Sequence, residues 1–164
     1  MKIISLYRKR CVILYKNCTM KTSSDIRSML LGQSPCRVTP DRITSLSEGQ
    51  IFVFGSNAAG MHGGGAAYTA MQRFGAILGQ GDGLQGQSYA ISTMEGMEPM
   101  RQNIVRFIGF ARQHPELTFL VTRIGCGIAG YKVRDVAPLF APAVELKNVW
   151  LPKDFWEVLS SMDN

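Results

Sequence analysis

Two glycine-rich segments of the sequence have the composition of anion-binding loops. The segment from Gly55 to Ala67 reads Gly-Ser-Asn-Ala-Ala-Gly-Met-His-Gly-Gly-Gly-Ala-Ala and follows the apolar run 51–54. The segment from Arg123 to Tyr131 reads Arg-Ile-Gly-Cys-Gly-Ile-Ala-Gly-Tyr and follows the apolar run 117–122. Where a buried strand ends in glycines and a helix begins, backbone N–H groups converge on an anion, since no Cβ blocks the ligand. We predict that these segments, the first and the second glycine loop, face each other across one cleft and hold the phosphates of a nucleotide-like ligand.

Two side chains of the first glycine loop are candidates for catalysis. Asn57 has an amide that could hydrogen-bond ribose hydroxyls, or that could satisfy the backbone of its own loop. His62 is the only ionisable side chain of this loop, and an imidazole acts near neutral pH as a general base or as a phosphate donor. A histidine that caps the loop explains the same residue equally well. Both interpretations of each side chain stay open at this stage.

The second glycine loop contains one thiol and one aromatic ring. Cys126 lies between two glycines before a predicted helix, where a thiol pKa can be lowered, although a small side chain that fills the turn is the better explanation. Tyr131 either packs on a ribose or base, or anchors the start of the helix. The predicted ligand-binding set comprises Gly55, Ser56, Asn57, Gly63, Gly64, Gly65, Ala66, Gly125, Cys126, Gly127, Ile128, Ala129, Gly130 and Tyr131.

Three glycine patterns are similar to nucleotide-binding motifs, but their context argues against those motifs. The pattern Gly-x-Gly-x-x-Gly at 125–130 matches the dinucleotide fingerprint, yet the 34 residues that follow leave no room for a complete dehydrogenase. The same pattern at 81–86 precedes a predicted strand, so an ordinary mobile loop is the better interpretation. The triple glycine at 63–65 lacks the Lys-Ser/Thr pair of an NTPase phosphate loop, which excludes ATP hydrolysis by that route.

The charge of the chain is concentrated in its first quarter. The 164 residues carry a formal net charge of +6, but residues 1–42 hold 9 Lys/Arg and 2 Asp/Glu, whereas residues 43–164 hold 9 and 10. The larger part is therefore close to neutral, and the overall charge is no argument for nucleic-acid binding. We expect residues 1–36 to be a basic extension, either a disordered or loosely docked tail or a translated leader with Met20 as the true initiator. We expect residues 37–164 to form one ligand-binding domain.

The composition favours a globular protein without metal or cofactor. Hydrophobic content of 46% and charged content of 18% are typical of folded domains, and no run approaches the roughly 20 apolar residues of a membrane span. The four cysteines form no CxxC pair, and no group of His, Cys and carboxylate residues has metal-ligand spacing. We therefore expect a cytoplasmic protein that binds no metal, no cofactor and no membrane.

The predicted elements alternate between strands and helices from residue 50 onward. Strands are predicted at 50–54, 88–93, 117–124 and 148–151, and helices at 65–78, 99–114, 135–146 and 154–162, with a short helix at 25–31 and an edge strand near 37–39 before them. Such alternation predicts an α/β fold, a three-layer α/β/α sandwich around a mainly parallel, mixed sheet. Ligands of this fold bind beyond the carboxyl ends of the strands, where we expect both glycine loops, on non-adjacent strands.

Together the two loops resemble those of a macro domain, the module that binds ADP-ribose. Ser56-Asn57 followed by the glycines 63–65 is similar to that family's Asn-containing strand end and Gly-Gly-Gly helix start. Residues 125–131 are similar to its diphosphate loop, a Gly-x-Gly followed by an apolar residue, a glycine and an aromatic residue. The resemblance covers about residues 43–160 and extends to a macro-like branch of bacterial and phage proteins. It implies a macro-like fold and a cleft that binds ADP-ribose.

Several positions depart from the macro-domain pattern. Ala66-Ala67 occupy the place where many hydrolytic members carry an Asp, and the adenine-contacting Asp is not evident after Ile43. The Lys and Asp of another branch are also missing from the two loops. The resemblance therefore implies binding of ADP-ribose or a related nucleotide diphosphate, free or on an ADP-ribosylated macromolecule. An ADP-ribosyl hydrolase or phosphoesterase that uses Asn57 and His62 is the alternative, and an interaction protein with a vestigial cleft is the third hypothesis.

Overall fold

The described part of the chain folds around a five-stranded mixed sheet. The computed structural model describes residues 37–162. Within them the strands are β1 (Gln50–Ser56), β2 (Gly83–Gln85), β3 (Ser88–Ser92), β4 (Thr118–Val121) and β5 (Val149–Trp150). Their order in the sheet is β2-β3-β1-β4-β5, and every neighbouring pair is parallel except β2 with β3. The predicted α/β class with a mainly parallel, mixed sheet is confirmed.

Helices cover both faces of this sheet. They are α1 (Gly65–Arg73), α2 (Met97–Gln113), α3 (Val133–Val136), a 3₁₀-helix (Ala137–Glu145) and α4 (Lys153–Ser161). Successive side chains of a strand point to opposite faces. Phe52 and Phe54 of β1 therefore pack with α1 on one face, whereas Ile51 and Val53 join the larger core that α2, the 3₁₀-helix and α4 form on the other. This arrangement agrees with an α/β sandwich.

Strand β1 lies at the centre of the sheet, and the strands that follow it in the chain are added first on one side of it and then on the other. From β1 the chain passes to β3 on one side, and from β3 it returns through α2 to β4 on the other side. The register pairs Ser56 with Ser92 and Val53 with Val121, so the carboxyl ends of three parallel strands meet. A crevice at such a switch point is the usual ligand site of an open α/β sheet.

Prolines and tertiary hydrogen bonds explain where the helices differ from the prediction. The helix predicted at 135–146 is one turn of α-helix followed by the 3₁₀-helix. Pro138 and Pro142 lack the N–H groups that an α-helical ladder requires, which favours the shorter-range bonding. The helix predicted at 65–78 ends at Arg73, where the carbonyl of Phe74 accepts a hydrogen bond from the N–H of Gln87 at 2.9 Å.

The glycine pattern at 81–86 belongs to the sheet instead of forming a mobile loop. It contains β2, which pairs with β3 in antiparallel register. The side chain of Gln85 is buried and accepts a hydrogen bond from the N–H of Ile77 at 2.5 Å. A Cβ on Gly81 would lie 2.0 Å from the carbonyl oxygen of Asn57, so this glycine allows the backbone of the first glycine loop to pack against it.

At the opposite edge of the sheet, Val38 forms an isolated parallel bridge with Leu151. The edge strand predicted near 37–39 is thus reduced to a single bridge beside β5. The helix predicted at 25–31, like the rest of the extension 1–36, lies outside the described residues.

Candidate functional site

The two glycine loops leave the sheet from neighbouring strands. The first follows β1 and the second follows β4, and these strands are hydrogen-bonded to each other. The expectation of non-adjacent strands is therefore wrong, because the crossover through α2 returns the chain to the other side of β1. A Cβ on Gly55 would lie 3.5 Å from the backbone nitrogen of Gly125, and a Cβ on Gly64 would lie 3.8 Å from Cδ1 of Ile128. The loops face each other at close range.

A cavity of about 350 Å³, here called the loop cleft, lies between them. Its walls come from both glycine loops and from the carboxyl end of β3. The lining residues are Gly55, Ser56, Asn57, Met61, Gly63, Gly64, Gly65, Ala66, Ala67, Thr93, Met94, Thr122, Arg123, Gly125, Gly127, Ile128 and Ala129. Most of the predicted ligand-binding set thus meets at one cavity, while Cys126, Gly130 and Tyr131 lie outside its lining.

Backbone N–H groups without protein acceptors occur on both sides of the loop cleft. In the second glycine loop the N–H groups of Cys126, Gly130 and Tyr131 bond to carbonyls of the same segment. Within the described residues, the intervening N–H groups at 127–129 find no acceptor. On the opposite side, α1 begins after Gly64 without a side-chain cap, so the N–H groups of its first turn also lack partners. The cleft therefore has two sets of donors suited to an anion.

The glycines of the loop cleft differ in whether the backbone conformation and the surrounding atoms would tolerate a side chain. Gly125 has a φ of +71°, a conformation that other residues rarely adopt, and a Cβ there would also crowd Sδ of Met100 at 3.0 Å and the ring of Tyr131 at 3.3 Å. A Cβ on Gly63 or Gly127 would meet nothing within 4 Å, and the backbone at both positions is one that other residues adopt. These two glycines are not required by the fold, and their effect is to leave space beside the unpaired N–H groups.

A second cavity of about 410 Å³, here called the side pocket, adjoins the loop cleft. Four lining residues belong to both cavities, namely Ala66, Thr122, Arg123 and Gly127. The remaining lining residues of the side pocket are Thr39, Pro40, Asp41, Arg42, Ile43, Phe52, Thr69, Val121, Cys126 and Pro152. An elongated ligand could occupy both cavities across this shared boundary.

Arg123 carries the positive charge at the boundary of the two cavities. Its Nε lies 2.6 Å from Oδ2 of Asp154, and its Nη2 lies 3.3 Å from Oδ1 of Asp41. The hydrogen bond to Asp154 raises the pKa of Arg123 above its ordinary value, although partial burial opposes this change. Among the described residues, Nη1 of Arg123 has no hydrogen-bond partner. The guanidinium is thus fixed by two carboxylates and keeps donors for a ligand.

His62 lies beneath the first glycine loop and does not line the loop cleft. Its side chain is 1% exposed, and its ring packs edge-on against Phe54 with centroids 5.2 Å apart. Nε2 lies 2.9 Å from the carbonyl oxygen of Ile77, so Nε2 must carry a proton and donate. Nδ1 lies 3.2 Å from Oγ of Ser56, within hydrogen-bond distance. This geometry favours the loop-capping interpretation over a general base.

The Asn57 side chain is bonded to its own loop. Its Oδ1 accepts from the N–H of Met61 at 3.0 Å, and its Nδ2 donates to the carbonyl of the same residue at 3.3 Å. Asn57 nevertheless lines the loop cleft. Of the two interpretations of Asn57, the hydrogen bonds support the one in which the amide shapes the loop.

Cys126 and Tyr131 also have structural surroundings. Burial raises the pKa of the Cys126 thiol to about 11, and the nearby carboxylate of Asp154 contributes. The suggestion of a lowered thiol pKa is wrong, because desolvation outweighs the effect expected of a helix start. Cys126 lines the side pocket instead of the loop cleft. Tyr131 packs against the larger core, as a helix-start anchor would.

Some residues around the two cavities were absent from the predicted set. Met61, Thr93, Met94 and Thr122 line the loop cleft, and Asp41 lines the side pocket. Thr93 is the last residue of the strand predicted at 88–93, so the rule that ligands bind beyond strand ends could have included it. The position of Asp41 carried no local signal, since its segment precedes the first strand and reaches the site only through the fold.

Comparison of the chain with protein-family models, with curated proteins and with solved structures found no match.

Within residues 37–162, no three His, Cys, Asp or Glu side chains are grouped so as to hold a metal ion. None of the helices in the described part of the chain combines the length and the apolar character needed to cross a bilayer.

Proposed function

We propose that the protein binds ADP-ribose or a related nucleotide diphosphate across the loop cleft and the side pocket. The observation that carries this proposal is that both glycine loops line one cavity and present unpaired N–H groups from both sides. A diphosphate has several acceptor oxygens and two negative charges, and it suits such a set of converging donors. Each helix-terminus contribution is about 0.3–1 kcal/mol, so the affinity arises from several donors together.

Arg123 supports the placement of the diphosphate at the boundary of the two cavities. It is the only ionisable side chain among the described residues that line the loop cleft. A guanidinium pairs with phosphate oxygens through two parallel hydrogen bonds. The phosphates would therefore lie beside Arg123 and Gly127, with the rest of the ligand extending into each cavity.

The side pocket is suited to the base of the nucleotide. Pro40, Ile43 and Pro152 supply apolar surface, and the carboxylate of Asp41 can accept a hydrogen bond from an exocyclic amino group. The ribose distal to the base would lie in the loop cleft, free or attached to a macromolecule. Asp41 would then contact the base. The macro-domain resemblance implied no residue of this sequence for that role.

The geometry favours binding over hydrolysis. General acid–base catalysis needs a titratable group within hydrogen-bond reach of the reacting atoms. His62 is buried with both ring nitrogens bonded, and the amide of Asn57 is bonded to its own loop. A binding module is therefore the proposal that requires no rearrangement of these side chains.

Calorimetric titration with ADP-ribose tests the proposal, using Gly127→Glu as the disruptive variant. A carboxylate at residue 127 would enter the space beside the N–H groups and repel a diphosphate, and we expect binding to fall below detection. Gly109→Glu is the matched control, because Gly109 lies on α2 with open space around its Cα. We expect this control to bind ADP-ribose as the wild type does.

Two results would contradict the proposal. The first is absence of heat at millimolar ADP-ribose for the wild-type protein, with ADP titrated in parallel. The second is equal affinity of the wild type and Gly127→Glu, which would move any binding away from the loop cleft. Release of ADP-ribose from a modified protein or nucleic acid would instead favour the hydrolase.

A further inference from the structure

Three exposed apolar side chains surround the mouth of the loop cleft. Met61 is 61% exposed, Met94 is 48% exposed and Ile128 is 82% exposed. They come from three separate segments, namely the first glycine loop, the residues after β3 and the second glycine loop. All three line the loop cleft. We call them the apolar rim.

Exposed apolar side chains are concentrated at the mouth of the loop cleft. Nine large hydrophobic side chains are exposed in the described part of the chain, and three of them border this one cavity. Apart from Arg123, no ionisable side chain lines the cleft in the described residues. A ribose carries three hydroxyl groups and offers little apolar surface to such a rim, whereas an apolar or aromatic group would bury it.

Aromatic rings suit this rim better than aliphatic groups. Methionine thioethers make favourable contacts with ring edges and faces, and their flexible side chains adapt to a flat group. Ile128 extends across the cleft to the neighbourhood of Gly64, so a ring inserted here would contact apolar atoms from both glycine loops.

The side pocket provides a partly apolar surface at the other end of the site, beside the polar side chains of Asp41 and Arg42. It is lined by apolar residues that include Pro40, Ile43 and Pro152. The residues shared by the two cavities, among them Arg123 and Gly127, lie between these two apolar regions. The site therefore has a charged, N–H-rich centre, an apolar region at the loop cleft and a partly apolar region in the side pocket.

We propose that the preferred ligands are nucleotide diphosphates with an aromatic ring at both ends, that is, ADP-ribose carrying a flat aromatic group on its distal ribose. This inference rests on the proposed function and specifies its ligand class. Free ADP-ribose would fill one apolar region, and a ligand with two rings would fill both.

Calorimetric titration with ADP-ribose, NAD⁺ and NADH tests the inference, because these ligands differ chiefly in the nicotinamide ring. NADH carries an uncharged ring that is flat but not aromatic, so its comparison with NAD⁺ separates contact with a flat ring from the charge and aromaticity of that ring. We expect NAD⁺ to bind about 3- to 150-fold more tightly than ADP-ribose, the range expected from two thioether–ring contacts. We expect NADH to bind more tightly than ADP-ribose by a smaller factor, since its ring is not aromatic.

A double variant assigns the preference to the rim. Met61→Ala with Met94→Ala should reduce the advantage of the dinucleotides over ADP-ribose, taken as the ratio of the dissociation constants of one variant, to within about twofold. The control is Val105→Ala with Met162→Ala, since these side chains are comparably exposed at 60% and 57% and line neither cavity. We expect this control to retain the full preference.

The possible outcomes separate this inference from the proposed function. If ADP-ribose binds and the dinucleotides bind no more tightly, the ligand class is wrong while nucleotide binding stands. If the preference survives in the Met61 and Met94 variant, the role of the apolar rim is wrong. If none of the three ligands binds, both proposals are wrong.

Discussion

At the scale of single residues, the polar side chains of the first glycine loop are occupied by the loop itself. The amide of Asn57 bonds to the backbone of Met61, and the imidazole of His62 joins Ser56 to Ile77. Side chains held in this way give the loop a defined shape without presenting a base to the cleft. The recognition of an anion is then left to backbone N–H groups and Arg123.

We predict that His62→Ala lowers the free energy of unfolding by about 2–4 kcal/mol. The substitution would leave a cavity beside Phe54 and remove a partner from both Ser56 and Ile77. Urea denaturation measures the change. His114→Ala is the matched control, because His114 is partly exposed and pairs with exposed Glu116, and we expect it to cost less than about 1 kcal/mol. Wild-type stability of the His62 variant would contradict the capping role.

At the scale of elements, the end of β3 is tied to the first glycine loop by Glu95. Its carboxylate accepts from the N–H of Ala58 at 2.6 Å, from the N–H of Met94 at 3.2 Å and from the hydroxyl of Ser92. Desolvation raises the pKa of Glu95, but these hydrogen bonds together outweigh it and lower the pKa below its ordinary value. The ionised form is therefore the one that holds the two segments together.

We predict that Glu95→Ala destabilises the protein at pH 7 by about 1 kcal/mol, since several hydrogen bonds are lost at a largely exposed position. Because the pKa is lowered in the folded state, the stabilisation is present above the ordinary glutamate value of 4.5 and is lost as the pH falls through the folded-state pKa. The difference between wild type and variant in urea denaturation should thus shrink at acidic pH. A gap that stayed constant from pH 7 down to about pH 3, or an equal effect of Glu98→Ala, would contradict this role.

At the scale of the whole molecule, helix α4 connects the two ends of the described chain. Trp156 is 2% exposed, and its indole N–H donates to the carbonyl of Arg37 at 2.9 Å. The guanidinium of Arg37 lies 5.1 Å from the centre of the Trp156 ring. The same helix carries Asp154, which binds Arg123 at the candidate site. The packing of α4 therefore supports both the sheet edge and the position of the cation.

We predict that Trp156→Ala lowers the free energy of unfolding by about 3–5 kcal/mol and Trp156→Phe by about 1–2 kcal/mol. The first change empties a core position, and the second chiefly leaves the carbonyl of Arg37 without the indole donor. Urea unfolding followed by far-UV circular dichroism measures both changes. Trp150→Phe is the control at a half-buried position of β5, with an expected loss below about 1 kcal/mol. Equal effects of the two Phe variants would contradict the special role of α4.

Much of the architecture was predictable because its signals are local. Apolar runs separated by glycines predicted β1, β3 and β4, and the alternation with helical segments predicted a mainly parallel sheet. Strand β2 was missed because its three residues have no apolar alternation and pair only with β3. The 3₁₀-helix was missed because the apolar spacing of this segment is also that of an α-helix, whereas Pro142 inside it removes an N–H group from the α-helical ladder.

The sequence alone determined the α/β class and the two strand–glycine–helix junctions, since both follow from hydrophobic period and glycine positions. Only the tertiary structure decided that these junctions leave adjacent strands and line one cavity. It also decided that His62 points into the protein and that Arg123 lies between two cavities. Such facts depend on strand order and on side chains packed from distant segments, and neither is encoded in the residues next to the motif.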